Sequence, residues 1–300
     1  MKKSSLKKSI LASLAVVPLA ALLVGCAGNA GTADEAENET VKIGVVGASD
    51  PYWETYVDAA ADEGITVELV DFSDYNQPNP ALAEGEVDLN QFQHIIYLAQ
   101  FNEANGEDLV PVGATAIYPL GLYSTQYESV EDIPDGATVA VPNDPSNLAR
   151  ALLVLQSADL ITLKGGGSTY STVSEIDESK SRVKVTELDP TLTATSLPDV
   201  AAAIINNDFI TDSGLEAKDA IAQDDPADPN ALPYVNIFAA RAEDKDNETY
   251  QKLVEIYQES KAVTDGVVEN SGGTAVMVKT PVEDLVASLK SVEEQIAEQG

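Results

Sequence analysis

The sequence contains few of the residues that form disulfides, metal clusters and catalytic dyads. Its 300 residues include one cysteine, Cys26, and one histidine, His94. No disulfide can form within the chain, and no Cys/His metal cluster can be assembled. A calcium site made of carboxylates stays open, but no loop has the Asp-x-Asp-x-Asp-Gly spacing that indicates one. We therefore expect neither a metal nor another cofactor.

Positive charge is scarce as well. The chain has 17 lysines and arginines against 50 acidic residues, a net charge of −33. The first 25 residues hold four lysines and no acid, so the remainder carries 13 positive and 50 negative charges, or −37. Such a surface repels nucleic acid and anionic lipid, which excludes nucleic-acid binding and is uninformative about the fold.

The common catalytic motifs are missing too. No Gly-x-Ser-x-Gly elbow presents a serine, and no Gly-x-Gly-x-x-Gly follows the first predicted strand. The three glycines at 165–167 lack the Lys-Ser/Thr of a phosphate loop and predict a surface turn. Pairs of carboxylates are inevitable among 50 acids and indicate nothing. We predict that the protein is not an enzyme.

The N-terminal segment has the pattern of a secretory signal. Four lysines precede a short apolar run over residues 10–24, which is too short to span a bilayer comfortably. The run ends in Leu-Val-Gly-Cys, which resembles a bacterial lipobox, and this implies a signal peptide at 1–25 and acylation of Cys26. The alternative is an N-terminal membrane helix with an incidental cysteine.

Residues 26–40 are small, polar and acidic without periodicity, so we predict a lipid-anchored flexible tether. About 14 residues of such chain reach roughly 20 Å from a membrane. We accordingly expect the protein on the extracytoplasmic face of the cell membrane, with a globular body that starts near residue 41. The length and the 44% apolar composition suit two domains or one two-lobed unit.

Strands and helices alternate along this body. A strand at 41–46, a helix at 51–61 and a strand at 65–72 predict a βαβ unit and a parallel sheet. The next predicted elements are a helix over 91–105, a strand within 112–124 that leads into a crossover between lobes, and a strand over 183–188. They are followed by a helix within 197–209 that passes into a strand ending at Asn206, a loop over 220–233, a strand over 234–241, and helices over 247–261 and 282–298. This alternation, with a chain that leaves one lobe and returns, predicts a two-lobed α/β protein with a cleft.

Residues 137–155, ATVAVPNDPSNLARALLVL, predict an anion-binding element. A buried strand turns at Pro142, and a helix opens at Pro145 behind the capping residue Asp144. The helix carries Arg150 close to its free N-terminal amides, which suits a small carboxylate. An ordinary strand-to-helix turn with a solvated arginine is the alternative.

Four stretches, in this order and spacing, resemble the NlpA/MetQ family of lipoproteins: DYNQPNPALAEGEVDLNQFQHIIYL, ATVAVPNDPSNLARALLVLQ, AAAIINNDF and PYVNIFAAR. The members of this family are the methionine-binding components of ABC importers. The resemblance covers residues 41 to about 261 and weakens from 263 onwards. It implies a type II periplasmic-binding-protein fold, with residues 41–122 plus 236–300 in one lobe and 123–235 in the other. It also implies a monomer that delivers an amino acid to a permease and its ATPase.

The resemblance further implies roles for eight residues. Arg150 pairs with the ligand carboxylate, helped by Asn147, and Asn206 and Asn236 place amide oxygens near the ligand ammonium. The side-chain pocket is lined by Tyr75, Phe92, His94 and Tyr97. Taken singly, these residues also suit plainer roles, as a surface histidine, core aromatics and turn asparagines.

The sequence departs from the family at two places near the pocket, Leu89-Asn90-Gln91 and Ile95-Ile96, where we expect Ala-Asn-Tyr and a Lys-Pro pair. These departures leave the identity of the amino acid open. We expect methionine or a related apolar amino acid. A surface adhesin or sensor that uses the same fold without transport is the alternative function.

Overall fold

A computed structural model describes residues 40–228 and 231–298. The predicted signal segment, the lipid site Cys26 and the tether up to residue 39 lie outside these residues.

The described chain alternates strands with helices. The strands are β1 (Thr40–Val46), β2 (Thr66–Phe72), β3 (Leu89–His94), β4 (Val110–Ala114), β5 (Ala116–Ile117), β6 (Gly121–Tyr123), β7 (Thr138–Pro142), β8 (Lys184–Leu188), β9 (Ala202–Ile205), β10 (Ala222–Gln223), β11 (Asn236–Ala240) and β12 (Val276–Met277). The helices are α1 (Pro51–Asp62), α2 (Pro78–Ala83), α3 (Ile95–Asn105), α4 (Pro145–Ser157), α5 (Pro190–Thr193), α6 (Glu248–Glu259), α7 (Lys261–Asn270) and α8 (Val282–Ala297). Short 3₁₀ segments join several of them.

The first lobe, lobe 1, is built on a sheet with the strand order β2-β1-β3-β11-β4. Strand β1 runs parallel to β2 and β3, which confirms the predicted βαβ unit, while β11 runs antiparallel to β3 and β4. Helices α1, α6 and α7 bury one apolar cluster, and α3 and α8 bury another. The sheet is thus covered by helices on both faces, as parallel strands require.

The predicted helix over 91–105 is wrong in its first turn, because residues 89–94 form the central strand β3. All six side chains of this strand are buried, so the sequence shows no alternation that would indicate a strand. Its polar members are satisfied locally: Gln93 Nε2 donates to Asn79 Oδ1 at 2.6 Å, and Asn90 Nδ2 donates to the same oxygen at 2.9 Å. The helix begins only at Ile95, with His94 as its N-cap.

The second lobe, lobe 2, has a sheet with the order β10-β6-β9-β7-β8. Strand β7 is parallel to both β8 and β9, and β6 runs antiparallel to β9. The predicted element at 137–155 is confirmed: β7 ends at Pro142, Asp144 caps the helix, and α4 starts at Pro145. The predicted strands near 41–46, 65–72, 183–188 and 234–241 are confirmed as β1, β2, β8 and β11.

The predicted helix within residues 197–209 is absent from the described chain. Turns lead into β9, and a 3₁₀ segment, Asn207–Ser213, follows it. The run of alanines and isoleucines suggests a helix, but the four residues of β9 are completely buried between β6 and β7. Tertiary pairing overrides local preference here. The predicted loop over 220–233 likewise contains the short strand β10, which pairs with β6.

The C-terminal part contains both predicted helices, as α6 and α8, together with two elements that the sequence did not indicate. Helix α7 begins directly after α6, and the hydroxyl of Ser260 caps it by accepting from Val263 N. Strand β12 pairs antiparallel with β5. The predicted helix over 247–261 runs across the gap of one residue, Ser260, that separates the two helices.

Two apolar clusters define how the lobes are built and how they meet. In lobe 1, Trp53 is 1% exposed and packs against Tyr52, Tyr56 and Tyr257. A separate cluster draws on both sheets, and its members include Val46, Tyr75 and Phe92 from lobe 1 and Ala203, Ile205 and Phe209 from lobe 2. The chain crosses from lobe 1 to lobe 2 between β5 and β6, and it returns between β10 and β11. The lobe boundaries at 122/123 and 235/236 stay predictions.

Candidate functional site

A narrow cavity lies where the two lobes meet. It contains about 410 Å³ of space free of protein atoms, but the centre of a water molecule can reach only about 30 Å³ of it. All eight residues predicted to bind the ligand line this cavity: Tyr75, Phe92, His94, Tyr97, Asn147, Arg150, Asn206 and Asn236. The fold therefore brings the eight predicted residues together around one cavity, although their binding roles stay predictions.

Arg150 lies on the second turn of α4 and is 6% exposed. Its Nε donates to Asp224 Oδ2 at 2.5 Å, and its Nη2 donates to the carbonyl oxygen of Tyr118 at 2.8 Å. Its guanidinium carbon stacks 4.3 Å from the ring centroid of Tyr234. A guanidinium has five N–H donors, so three have no partner among the described residues. The group is held in place yet can still receive an anion.

Asn147 and His94 link the two lobes on one side of the cavity. The N-terminal cap of α4 fixes Asn147, because Asp144 Oδ1 accepts from its backbone N and from its Nδ2, each at 3.0 Å. Asn147 Oδ1 then lies 3.3 Å from His94 Nε2. His94 Nδ1 accepts from Tyr97 N at 3.2 Å, which assigns the imidazole proton to Nε2 and makes it a donor to Asn147.

His94 is a buried, neutral side chain rather than a surface histidine. It is 6% exposed, and burial, followed by the nearby charge of Arg150, lowers its pKa to about 3. The imidazole therefore adds no positive charge to the cavity at neutral pH. It acts as a fixed hydrogen-bond donor on the wall.

Aromatic rings from lobe 1 form the part of the cavity wall next to His94. The centroid of Tyr75 lies 5.9 Å from that of Phe92 and 6.1 Å from that of Tyr97, and Phe92 lies 5.6 Å from Tyr97 in an edge-on arrangement. Tyr97 Oη donates to the carbonyl oxygen of Tyr75 at 3.0 Å. Such rings give a rigid apolar slot with little freedom to lose on binding.

The two asparagines stand at strand ends, where the sheets open toward the cavity. Asn206 follows β9 and is 7% exposed, and its Oδ1 is buried without a hydrogen-bond partner among the described residues. Asn236 starts β11 opposite His94 of β3. Because buried polar atoms are almost always paired, the orphaned Oδ1 of Asn206 indicates a place for a donor from a ligand.

Sequence reasoning missed three residues that shape the site. Asp224 pairs with Arg150 and also accepts from Leu120 N at 2.8 Å. Tyr234 stacks on the guanidinium, and Asp208 accepts from Tyr75 Oη at 2.7 Å. The only available signal was that a buried arginine needs a counter-charge, and the acidic loop after β10 offers several candidates.

The described residues contain neither a group of metal-ligating side chains nor a helix that could span a membrane. No three or more histidine, cysteine, aspartate or glutamate side chains in that part of the chain are grouped so as to hold a metal ion. None of the helices between residues 40 and 298 that the structure describes is long and apolar enough to cross a membrane.

Two five-stranded α/β lobes, two crossover segments and a cavity between them define a type II periplasmic-binding-protein fold. The chain matches the NlpA lipoprotein family over residues 41–278, and it belongs to that family.

Known relatives agree with this assignment. The D-methionine-binding lipoprotein MetQ of Escherichia coli K12 is 42% identical over 241 residues, which are 79% of this chain and 86% of the relative. The substrate-binding protein of a methionine transporter from Streptococcus pneumoniae superposes with a TM-score of 0.74 at 39% identity, covering 80% of this chain and 95% of that one. A nutrient-binding protein from Burkholderia cenocepacia, solved bound to methionine, gives a TM-score of 0.73 at 39% identity, covering 79% and 99%.

Proposed function

We propose that this protein is the extracytoplasmic solute-binding lipoprotein of an ABC importer, and that it captures methionine or a closely related amino acid. The observation that carries the proposal is the pairing, in one narrow cavity, of an anchored guanidinium with free donors and a buried amide oxygen without a partner. A zwitterion needs one cationic end and one acceptor end, and the cavity offers both. The relatives, a D-methionine-binding lipoprotein and the substrate-binding protein of a methionine transporter, support the same conclusion.

The carboxylate end of the ligand is assigned to Arg150. Asp224 and the carbonyl oxygen of Tyr118 use two of its donors, so three can reach a carboxylate in the fork geometry that guanidinium groups favour. Asn147 stands one turn before Arg150 on the same buried face of α4. In this arrangement the ligand's carboxylate joins a charge pair that already exists, and Arg150 does not have to move far to receive it.

The ammonium end is assigned to Asn206 and Asn236. Asn206 Oδ1 gains its missing partner when an ammonium donates to it, and such a bond to a charged group contributes about 1.5–3 kcal/mol. The neutral state of His94 favours this placement, because an imidazolium would repel the ammonium.

The side chain of the ligand is assigned to the slot between Tyr75, Phe92 and Tyr97. The slot is too narrow for a bulky group, and its ring faces and edges suit an unbranched thioether. A thioether sulfur near an aromatic ring contributes about 0.3–1.5 kcal/mol. This combination favours methionine over charged or branched amino acids.

Binding without chemistry is part of the proposal. His94, the one histidine of the sequence, hydrogen-bonds an asparagine and a backbone amide rather than a serine. An adhesin or sensor with the same fold need not keep side chains that pair with both charged ends of an amino acid, and the placement of Arg150 and Asn206 in one cavity supports the binding of a ligand over this alternative. We see no observation that favours this alternative.

The lipid anchor is the remaining part of the proposal. Acylation of Cys26 after removal of residues 1–25 would tether the body to the outer face of the cell membrane, where a permease with an ATPase behind it receives the ligand. The similarity to the D-methionine-binding lipoprotein MetQ supports it. In detergent partitioning, Cys26→Ser should move the protein from the detergent phase to the aqueous phase; a variant that still partitions with detergent contradicts the anchor.

The test of the ligand is mass spectrometry of the small molecules that copurify with natively isolated protein, followed by calorimetry. We expect methionine to be released on denaturation. After unfolding, dialysis and refolding, the protein should bind L-methionine more tightly than glutamate or lysine. Binding of none of these amino acids, or preference for a charged one, contradicts the proposed ligand class.

A further inference from the structure

One hydrogen bond crosses the cleft beside the cavity. Tyr75, in the segment after β2 of lobe 1, donates its Oη to Asp208 Oδ2 at 2.7 Å, and Asp208 follows β9 of lobe 2. The centroid of Tyr75 also lies 5.1 Å from that of Phe209, the residue after Asp208. The ring of Tyr75 lines one side of the proposed ligand slot, so this hydrogen bond connects the slot directly to lobe 2.

Asp208 sits among groups that disfavour its negative charge. It lines a second, wider cavity that shares Tyr118 and Asn207 with the first, and there the centre of a water molecule can reach about 530 Å³. No described residue lining this cavity is a lysine or an arginine. The titratable groups that face Asp208 are Asp50 and Tyr52 at the start of α1, Tyr75 after β2, Tyr118 in the first crossover, Glu216 in lobe 2 and Glu269 of α7.

These surroundings change the acidity of the carboxyl. Burial raises the pKa of Asp208 to about 7, and the charge of Asp50 adds to the rise. The hydrogen bonds from Tyr75 and from Asn207 Nδ2, the latter 2.6 Å from Oδ1, oppose it without cancelling it. Asp50 and part of the surroundings that bury Asp208, including Tyr52, come from lobe 1, so separating the lobes removes the repulsion by Asp50 and part of the burial that raise the pKa.

We infer that Asp208 is a positioning residue of the ligand site, which holds Tyr75 across the cleft, and that closing the lobes takes up one proton on its carboxyl. The inference rests on the proposed function for the identity of the ligand, but not for the closure itself. A protonated carboxyl keeps the bond, because its carbonyl oxygen still accepts from Tyr75 Oη.

The sign of the pH dependence follows from the raised pKa. The closed form binds the proton more tightly than the open form, so closure is favoured at low pH and is weakened as the pH rises toward about 7. Above that value both forms are ionised and the dependence ends. Between pH 5 and pH 7 the ligand affinity should fall by up to about tenfold per pH unit.

The first experiment needs no ligand. Small-angle X-ray scattering of the ligand-free protein should give a larger radius of gyration at pH 8 than at pH 5. In Asp208→Asn, whose amide oxygen still accepts from Tyr75 but cannot titrate, the radius should be the same at both values. The matched control is Asp212→Asn, which removes an exposed acid from the same 3₁₀ segment and should behave as the wild type. Equal pH responses in all three proteins overturn the inference, whatever the ligand is.

The second experiment measures the proton directly. Calorimetry with L-methionine at pH 6, in two buffers of different ionisation enthalpy, should show uptake of close to one proton by the wild type and by Asp212→Asn, and none by Asp208→Asn. Binding with equal uptake in all three overturns the inference and leaves the proposed function intact. No binding by the wild type contradicts the proposed ligand, and the scattering result then decides the inference alone.

Discussion

Lobe 2 supplies the cavity with Arg150, Asn147 and Asn206, which form one group of polar side chains together with Asn236 of lobe 1, whereas the second group, the rings of Tyr75, Phe92 and Tyr97, comes from lobe 1 alone. The first group matches the ammonium and carboxylate that all amino acids share. The second group matches the side chain that distinguishes them. In the proposed site, one group of side chains therefore recognises any amino acid, and the other group selects among amino acids by their side chains. Substitutions in lobe 2 should weaken the binding of every amino acid alike, and substitutions of the rings of lobe 1 should change the relative affinities for different amino acids.

Loss of the guanidinium should have the largest effect. Arg150→Ala removes the guanidinium to which the ligand carboxylate is assigned, and loss of one partner of such a charge pair is expected to cost about 2–5 kcal/mol of binding free energy. Calorimetry should show a loss of roughly 30-fold to several thousandfold in affinity. The loss should be equal for methionine and norleucine.

The matched control for that variant is Arg182→Ala, which removes a guanidinium from the same lobe. Arg182 bonds Asp135 and the carbonyl oxygen of Ile133, and it does not line the cavity. Its variant should bind methionine as the wild type does. If Arg150→Ala binds methionine with unchanged affinity, Arg150 does not hold the ligand carboxylate.

The next largest effect is expected when the hydrogen bond to the ligand's ammonium is removed. Asn206→Ala removes the amide oxygen that has no hydrogen-bond partner among the described residues, and the lost bond to a charged group is worth about 1.5–3 kcal/mol. Methionine affinity should fall roughly tenfold to a hundredfold. The hydroxy-acid analogue of methionine, which lacks the ammonium, serves as the control ligand. Equal losses for both ligands would mean that Asn206 acts on the fold rather than on the ammonium.

The smallest effect should be a change in the relative affinities for similar amino acids. Phe92→Leu keeps an apolar side chain on β3 but removes the ring, so the sulfur loses a contact worth about 0.3–1.5 kcal/mol. Preference for methionine over the isosteric norleucine should fall by about two- to tenfold in competition calorimetry. Phe101→Leu, on α3 outside the cavity, should keep the wild-type preference. If Phe92→Leu lowers both affinities by one factor, the division between the lobes is not as we describe.

Local chemistry made part of the site predictable. Pro142, Asp144 and Pro145 signal a strand, a cap and a helix within a few residues, and the structure contains this order. The distance along the helix from Asp144 to Arg150 then follows from helical geometry. No long-range information is needed for such an element.

Long-range pairing made the rest unpredictable. Asp224 meets Arg150 from 74 residues away, and no local pattern marks it among the acids of its loop. Strand β3 is buried on both faces, so its sequence lacks the alternation that would separate it from a helix. Asp208 is acidic like 49 other residues of the chain, and only the approach of Tyr75 from the other lobe makes it distinct.

The burial of Trp53 has a practical consequence. It is the one tryptophan of the sequence, and it lies in the core of lobe 1 beneath Tyr52 and Tyr257, not among the residues that line the cavity. Intrinsic tryptophan fluorescence should therefore follow denaturation of that half of the molecule and change little during a ligand titration. An optical assay of capture needs a dye attached near the mouth of the cleft.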